Sequence, residues 1–231
     1  MWTAGAICER VRRALQAHED ALRLEQAVKG LDALSEVALH AVLASGLASD
    51  ASVVLREVPY PGKSAAGTLR RERDRCDLVL LPQGETRLID PLVEANTRAS
   101  AVGTLFADLV GPAEPGVLPE AAYWLETKVV GQMTITSGWP GPNRAYASEL
   151  VRSITIDLRK LASQPGIEHG ALLLVVFTDC QHTAEHDVVT ALERCAGQGV
   201  PMRTPEIMHF PMVERMGNAN CTVTVVPRRG D

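Results

Sequence analysis

Ala121-Ala-Tyr-Trp-Leu-Glu-Thr-Lys-Val-Val130 reads as a buried strand with two charges set into it. Apolar residues stand on both sides of Glu126 and Lys128, and a strand repeats every two residues, so both side chains are expected to leave the same face. A carboxylate and an ammonium in such a setting are costly to bury, and a buried ion pair is a poor source of stability, which points to a functional reason for keeping them.

The flanking segments supply the rest of a layered α/β pattern. Upstream, residues 3–28 are rich in Ala, Leu, Glu and Arg, with Ile7, Val11, Ala14 and Leu15 at helical spacing. A second helix is expected over 31–47, with Leu34, Val37, Ala38, Ala41 and Val42 on its apolar side and Gly46 near its end. Residues 52–59 form a β-branched strand stopped by Pro59 and Pro61, and 77–82 a short aliphatic strand entered by Asp77. Between them Arg70, Arg71, Arg73 and Arg75 alternate with Glu72 and Asp74; Arg73 and Arg75 are candidate phosphate contacts. Residues 83–120 read as an insertion. Downstream come a turn through 137–142, a helix over 146–162 with Leu150, Ile154, Leu158 and Leu161 on one face, a wholly apolar strand at 170–178, a helix over 183–195, and strands at 206–212 and 220–226.

The chain has 231 residues, enough for a single sizeable domain over 1–231, and its 46% hydrophobic content is that of an ordinary soluble protein. A formal charge of -5 rules out a globally basic nucleic-acid binder, so any such contact must be local. Five scattered cysteines without a CxxC pair, and no signal-peptide pattern, predict free thiols and a cytoplasmic location. No apolar run is long enough for a membrane span, so no membrane partner is expected.

Asp77 at the start of one strand and Glu126-Thr127-Lys128 on the next place two acids and one amine on neighbouring strands. Two close carboxylates repel unless a cation lies between them, and oxygen ligation suits Mg²⁺ or Mn²⁺. A metal held between Asp77 and Glu126 would polarise a phosphate oxygen and acidify its water, and Lys128 would orient that water or neutralise charge developing on the phosphorane.

The order of these elements, from the helix bearing Glu36 through the strand entered by Asp77 and the Glu126-x-Lys128 strand to a helix and an apolar strand, resembles the PD-(D/E)XK nuclease superfamily. The resemblance covers roughly residues 31–178. It implies a restriction-endonuclease-like α/β fold, a central mixed β-sheet flanked by helices, and metal-dependent hydrolysis of phosphodiesters in nucleic acid, DNA before RNA, by a homodimer or a larger complex. By the same resemblance Asp77, Glu126, Lys128 and Glu36 are the catalytic set. Asp77 and Glu126 are its ligands, the Thr127 carbonyl a further one, and Glu36 a support through water. Arg159 and Lys160, on the helix after the E-x-K strand, are placed to meet a phosphate. Cys76 stands where the motif has proline, and the link from Asp77 to Glu126 is longer than the usual hairpin. A catalytically silent binding or scaffold subunit of the same fold is the alternative.

Other features carry less. Glu57 on the first strand is a lesser candidate carboxylate. His182-Thr-Ala-Glu-His186 matches the H-x-x-E-H zinc pattern, but little chain remains to supply a third ligand. Cys180 has no partner at fixed spacing that would make it a nucleophile, and Trp124 is expected in the core.

Overall fold

The computed structural model describes residues 1–49, 51–61, 75–90, 94, 115–136 and 139–229. Helices α1 (Ala4–Leu24) and α2 (Glu36–Leu47) are separated by a 3-10 turn at Leu31–Ala33, so the two predicted helices are shorter than expected. Side chains set both starts: Thr3 accepts from the Ala6 amide and Ser35 from the Ala38 amide, occupying donors that the first turn leaves unpaired. Strands β1 (Val54–Pro59), β2 (Arg75–Leu80) and β3 (Tyr123–Gly131) follow. Within the predicted turn at 137–142, residues 139–142 instead form one strand of a two-stranded ribbon, β4 (Met133–Thr136) with β5 (Trp139–Pro142). The chain continues through α3 (Tyr146–Ala162), β6 (His169–Thr178), α4 (Gln181–Gly197), β7 (Glu206–Pro211) and β8 (Asn220–Pro227).

Six strands form one mixed sheet in the order β1-β2-β3-β6-β8-β7. Its only parallel pair among these neighbours is β3 with β6, joined through α3; the others are antiparallel. Alternation divides the core. Leu78, Leu80, Tyr123, Leu125, Leu173, Val175 and Val223 pack under α1 and α2, while Leu172, Leu174, Val176 and Val226 pack against Leu150, Ile154, Leu158 and Val188 of α3 and α4. With both faces covered, β6 is buried along nearly its whole length, which explains its uninterrupted apolar sequence. A third cluster at the β1 end, built on Tyr60, Val79, Trp124, Leu161 and Ile167, lies on the α3 side.

The buried side of α2 differs from expectation. Leu39, His40, Leu43 and Leu47 face the core and Val37 is exposed. Apolar residues on every side of this helix leave its phase undetermined by sequence, and packing on α1 sets it instead. Arg70, Arg71 and Arg73 of the arginine run and most of the insertion lie outside the described residues, while Arg75 opens β2. Among the described residues no helix is long and apolar enough to cross a membrane.

Candidate metal and phosphodiester site

The site begins where β2 leaves β3. Their last backbone pair is Leu78 with Leu125, one residue short of Asp77 and Glu126. Strict alternation would send Asp77 to the α3 side with Val79. Cys76 occupies that side instead, packed with Tyr60, Val79 and Trp124, and its thiol donates to the carbonyls of Leu78 and Leu125. Asp77 turns toward α2. Its Oδ2 accepts from the Thr127 amide at 2.6 Å and from Thr127 Oγ1 at 2.9 Å. Thr127 Oγ1 in turn lies 2.5 Å from His40 Nε2. The residue between Glu126 and Lys128 therefore ties Asp77 to an imidazole that carries no motif in the sequence.

Glu57 completes this group. It stands across the β1-β2 ladder from Asp77, between the pairs Arg56 with Leu78 and Val58 with Cys76. Ligand atoms of His40, Glu57 and Asp77 all lie within 4.8 Å of one another. Glu57 has φ of 53°, a left-handed conformation that costs a non-glycine residue on the order of 1 kcal/mol. One imidazole and two carboxylates form a donor set that suits Mn²⁺ and later divalent metals better than Mg²⁺, which prefers oxygen alone.

Glu126 is only 4% exposed and bonds elsewhere. Its Oε1 accepts from the Tyr60 hydroxyl and, at 2.8 Å, from Lys160 Nζ. Lys160 also donates to the Arg75 carbonyl at 3.2 Å and lies over the Tyr60 ring, which stacks on Trp124. Burial, followed by the charge of Asp77, pushes the Glu126 carboxyl up to about 7, against the pull of Lys160 and Tyr60. Burial alone would lower Lys160, but its bond to Glu126 together with the charges of Glu126 and Asp157 raises it. The charge of Asp77 thus acts on Glu126 although the two acids make different hydrogen bonds.

Lys128 sits where β3 has lost its β2 neighbour. At that open edge its Nζ comes within 3.7 Å of Glu36 Oε1, the first residue of α2. Glu36 Oε1 also lies 3.9 Å from His40 Nε2. Lys128, Glu36 and Asp157 of α3 line a cleft of about 600 Å³ together with Arg152 and Ser153. In the structure Asp157 is 5% exposed, its Oδ2 has no hydrogen-bond partner, and burial raises its carboxyl against the opposing charges of Lys128 and Lys160. Asp157 and Lys160 are both turned toward the E-x-K strand.

The remaining candidates are further off. Arg75 donates to the Glu57 carbonyl at 3.0 Å, and Arg159 reaches across to the Gln198 carbonyl at the end of α4. His182 and His186 lie on exposed turns of α4, and His186 contacts only its neighbour Asp187 among the hydrogen bonds described. The chain matches no family model, no curated protein and no solved structure.

Proposed function

We propose that this chain is a divalent-metal-dependent nuclease of the PD-(D/E)XK, restriction-endonuclease-like type, hydrolysing phosphodiester bonds with DNA as the favoured polymer. The observation that carries the reading is the gathering of His40, Glu57 and Asp77 donor atoms within 4.8 Å beside the Glu126-Thr127-Lys128 strand. Strand order adds support: three antiparallel strands, a helix, and a fourth strand parallel to the third form the frame that this motif calls for.

Asp77, His40 and Glu57 would hold the ion, with Asp77 oriented by Thr127 and Glu126 adding negative potential behind it. A divalent ion so held polarises a phosphate oxygen and acidifies its water. Lys128, at the free edge of β3, supplies a positive charge for the attacking water or for charge developing on phosphorus. Glu36 holds the ammonium of Lys128 on the α2 side and can take a bridging water.

One observation favours a second reading, a silent binding subunit: Glu126, the acid of the E-x-K motif, is engaged by Lys160 and Tyr60. The test is a Mn²⁺ titration by calorimetry followed by nicking of supercoiled DNA. Saturable binding that Asp77→Asn removes is expected. Cleavage should fall about a hundredfold or more in Lys128→Ala, with metal binding retained. Metal binding by the parent without cleavage of DNA or RNA would establish the silent subunit, and parental cleavage by Lys128→Ala would remove the role given to that lysine.

A further inference from the structure

A larger cleft, of about 1190 Å³, opens at the other end of β3 from Lys128. Tyr123 and His169, the paired first residues of the parallel strands β3 and β6, form one wall with their rings stacked 6.4 Å apart and 9° from parallel. The loop from α3 to β6 forms another. Arg203 and Arg228 reach it from the segments flanking β7 and β8, brought together by the bond from the Arg203 amide to the Pro227 carbonyl at 2.8 Å. Burial pushes the Tyr123 hydroxyl up to about 12, and the charge of Arg203 acts in the opposite direction.

Neither arginine has a carboxylate within 4 Å among the described residues. Arg228 is anchored by its backbone amide to the Gly170 carbonyl at 2.9 Å and by Nη2 to the Ile167 carbonyl. Its Nε is buried without a partner. An orphaned guanidinium N–H is expensive to keep, and an anion meeting the part of Arg228 that lines the cleft would offset the charge of this under-partnered guanidinium. Of the acids on the lining, Glu206 is drawn to the first turn of α1, its carboxylate 3.8 to 3.9 Å from where a Cβ on Gly5 would stand, and Glu168 is exposed at the rim.

We infer that this cleft binds a small phosphate ester, with Arg203 and Arg228 as the charge partners of its phosphate. Two guanidiniums, the Tyr123 hydroxyl, the Thr204 hydroxyl and the His169 imidazole supply more donors than one carboxylate accepts. A phosphomonoester dianion, with three terminal oxygens and two charges, matches them. The volume exceeds that of an inorganic ion and suits an organic phosphate of nucleotide size. This inference is independent of the nuclease reading, since the two sites share no residue.

The test is calorimetric titration with AMP, inorganic phosphate and citrate, with backbone amide shifts followed in parallel. AMP is expected to bind saturably, more tightly than phosphate or citrate, and to shift the amides of Gly166, Gly170 and Thr204. Arg203→Gln changes an exposed side chain, so its fold is expected to persist, and it should weaken AMP by about tenfold or more. Arg228→Lys keeps the charge, loses the fork, and should weaken AMP in the same direction. Asp77→Asn should bind as the parent does. No saturation at millimolar AMP, tighter binding of citrate, parental affinity in Arg203→Gln, or loss of binding in Asp77→Asn would each overturn the assignment.

Discussion

Glu126 and Asp77 lie one residue beyond the last β2-β3 backbone pair and yet serve different networks, because Cys76 takes the buried place on the α3 side and leaves Asp77 to turn toward His40. The sequence identified Glu126 and Lys128 correctly as charges set into a strand, since their apolar neighbours are local. It pointed Lys160 at a phosphate rather than at Glu126 and was silent on Tyr60 and His40, all of which reach the strand from other elements. The raised Glu126 carboxyl has a consequence for stability. Its folded value of about 7 lies above the ordinary 4.5, so the folded chain holds a proton that the unfolded chain has released across that interval. Nothing is lost below pH 4.5, the cost grows between 4.5 and about 7, and it is constant above. Glu126→Gln is therefore expected to match the parent at pH 4.5 and to be more stable at pH 8 by on the order of 1–3 kcal/mol. Urea denaturation at the two pH values checks this. A variant equally destabilised at both would mean that the bonds to Lys160 and Tyr60 outweigh the burial of charge.

At the scale of elements, β6 and α3 were the most legible, because a continuous apolar run and a one-sided helical stripe each have a single reading. Helix α2 was legible as a helix but not in its orientation, and this is why His40 went unnoticed. Its seat on α1 is close. A Cβ at Gly46 would collide with that of Ala14, so the two helices meet there backbone to side chain. Gly46→Ala is expected to force them apart at a cost of about 1–3 kcal/mol, despite the better helix propensity of alanine. Because α2 carries Glu36 and His40, the same change should weaken Mn²⁺ binding. Unchanged stability with unchanged affinity would show that the crossing is slack and that α2 is not what fixes the imidazole.

For the whole molecule, a mixed sheet covered on both faces leaves its chemistry at the two ends of β3. At one end β2 peels away and opens an edge where Asp77, Lys128 and Glu36 meet; at the other, Arg203 and Arg228 converge on the stacked rings of Tyr123 and His169. The alternation of strands and helices was readable from sequence, but the splaying of one strand from another is a tertiary event with no local signature, and it is what turns Asp77 toward His40 and Glu57. The account depends on those donors holding an ion. The most direct measurement is a crystal of the protein soaked in Mn²⁺, with the anomalous signal of manganese used to locate it. A peak within coordination distance of Asp77 together with His40 and Glu57 is predicted, disappearing in Asp77→Asn. A saturated crystal with no peak there, or with manganese bound only elsewhere on the surface, would contradict it.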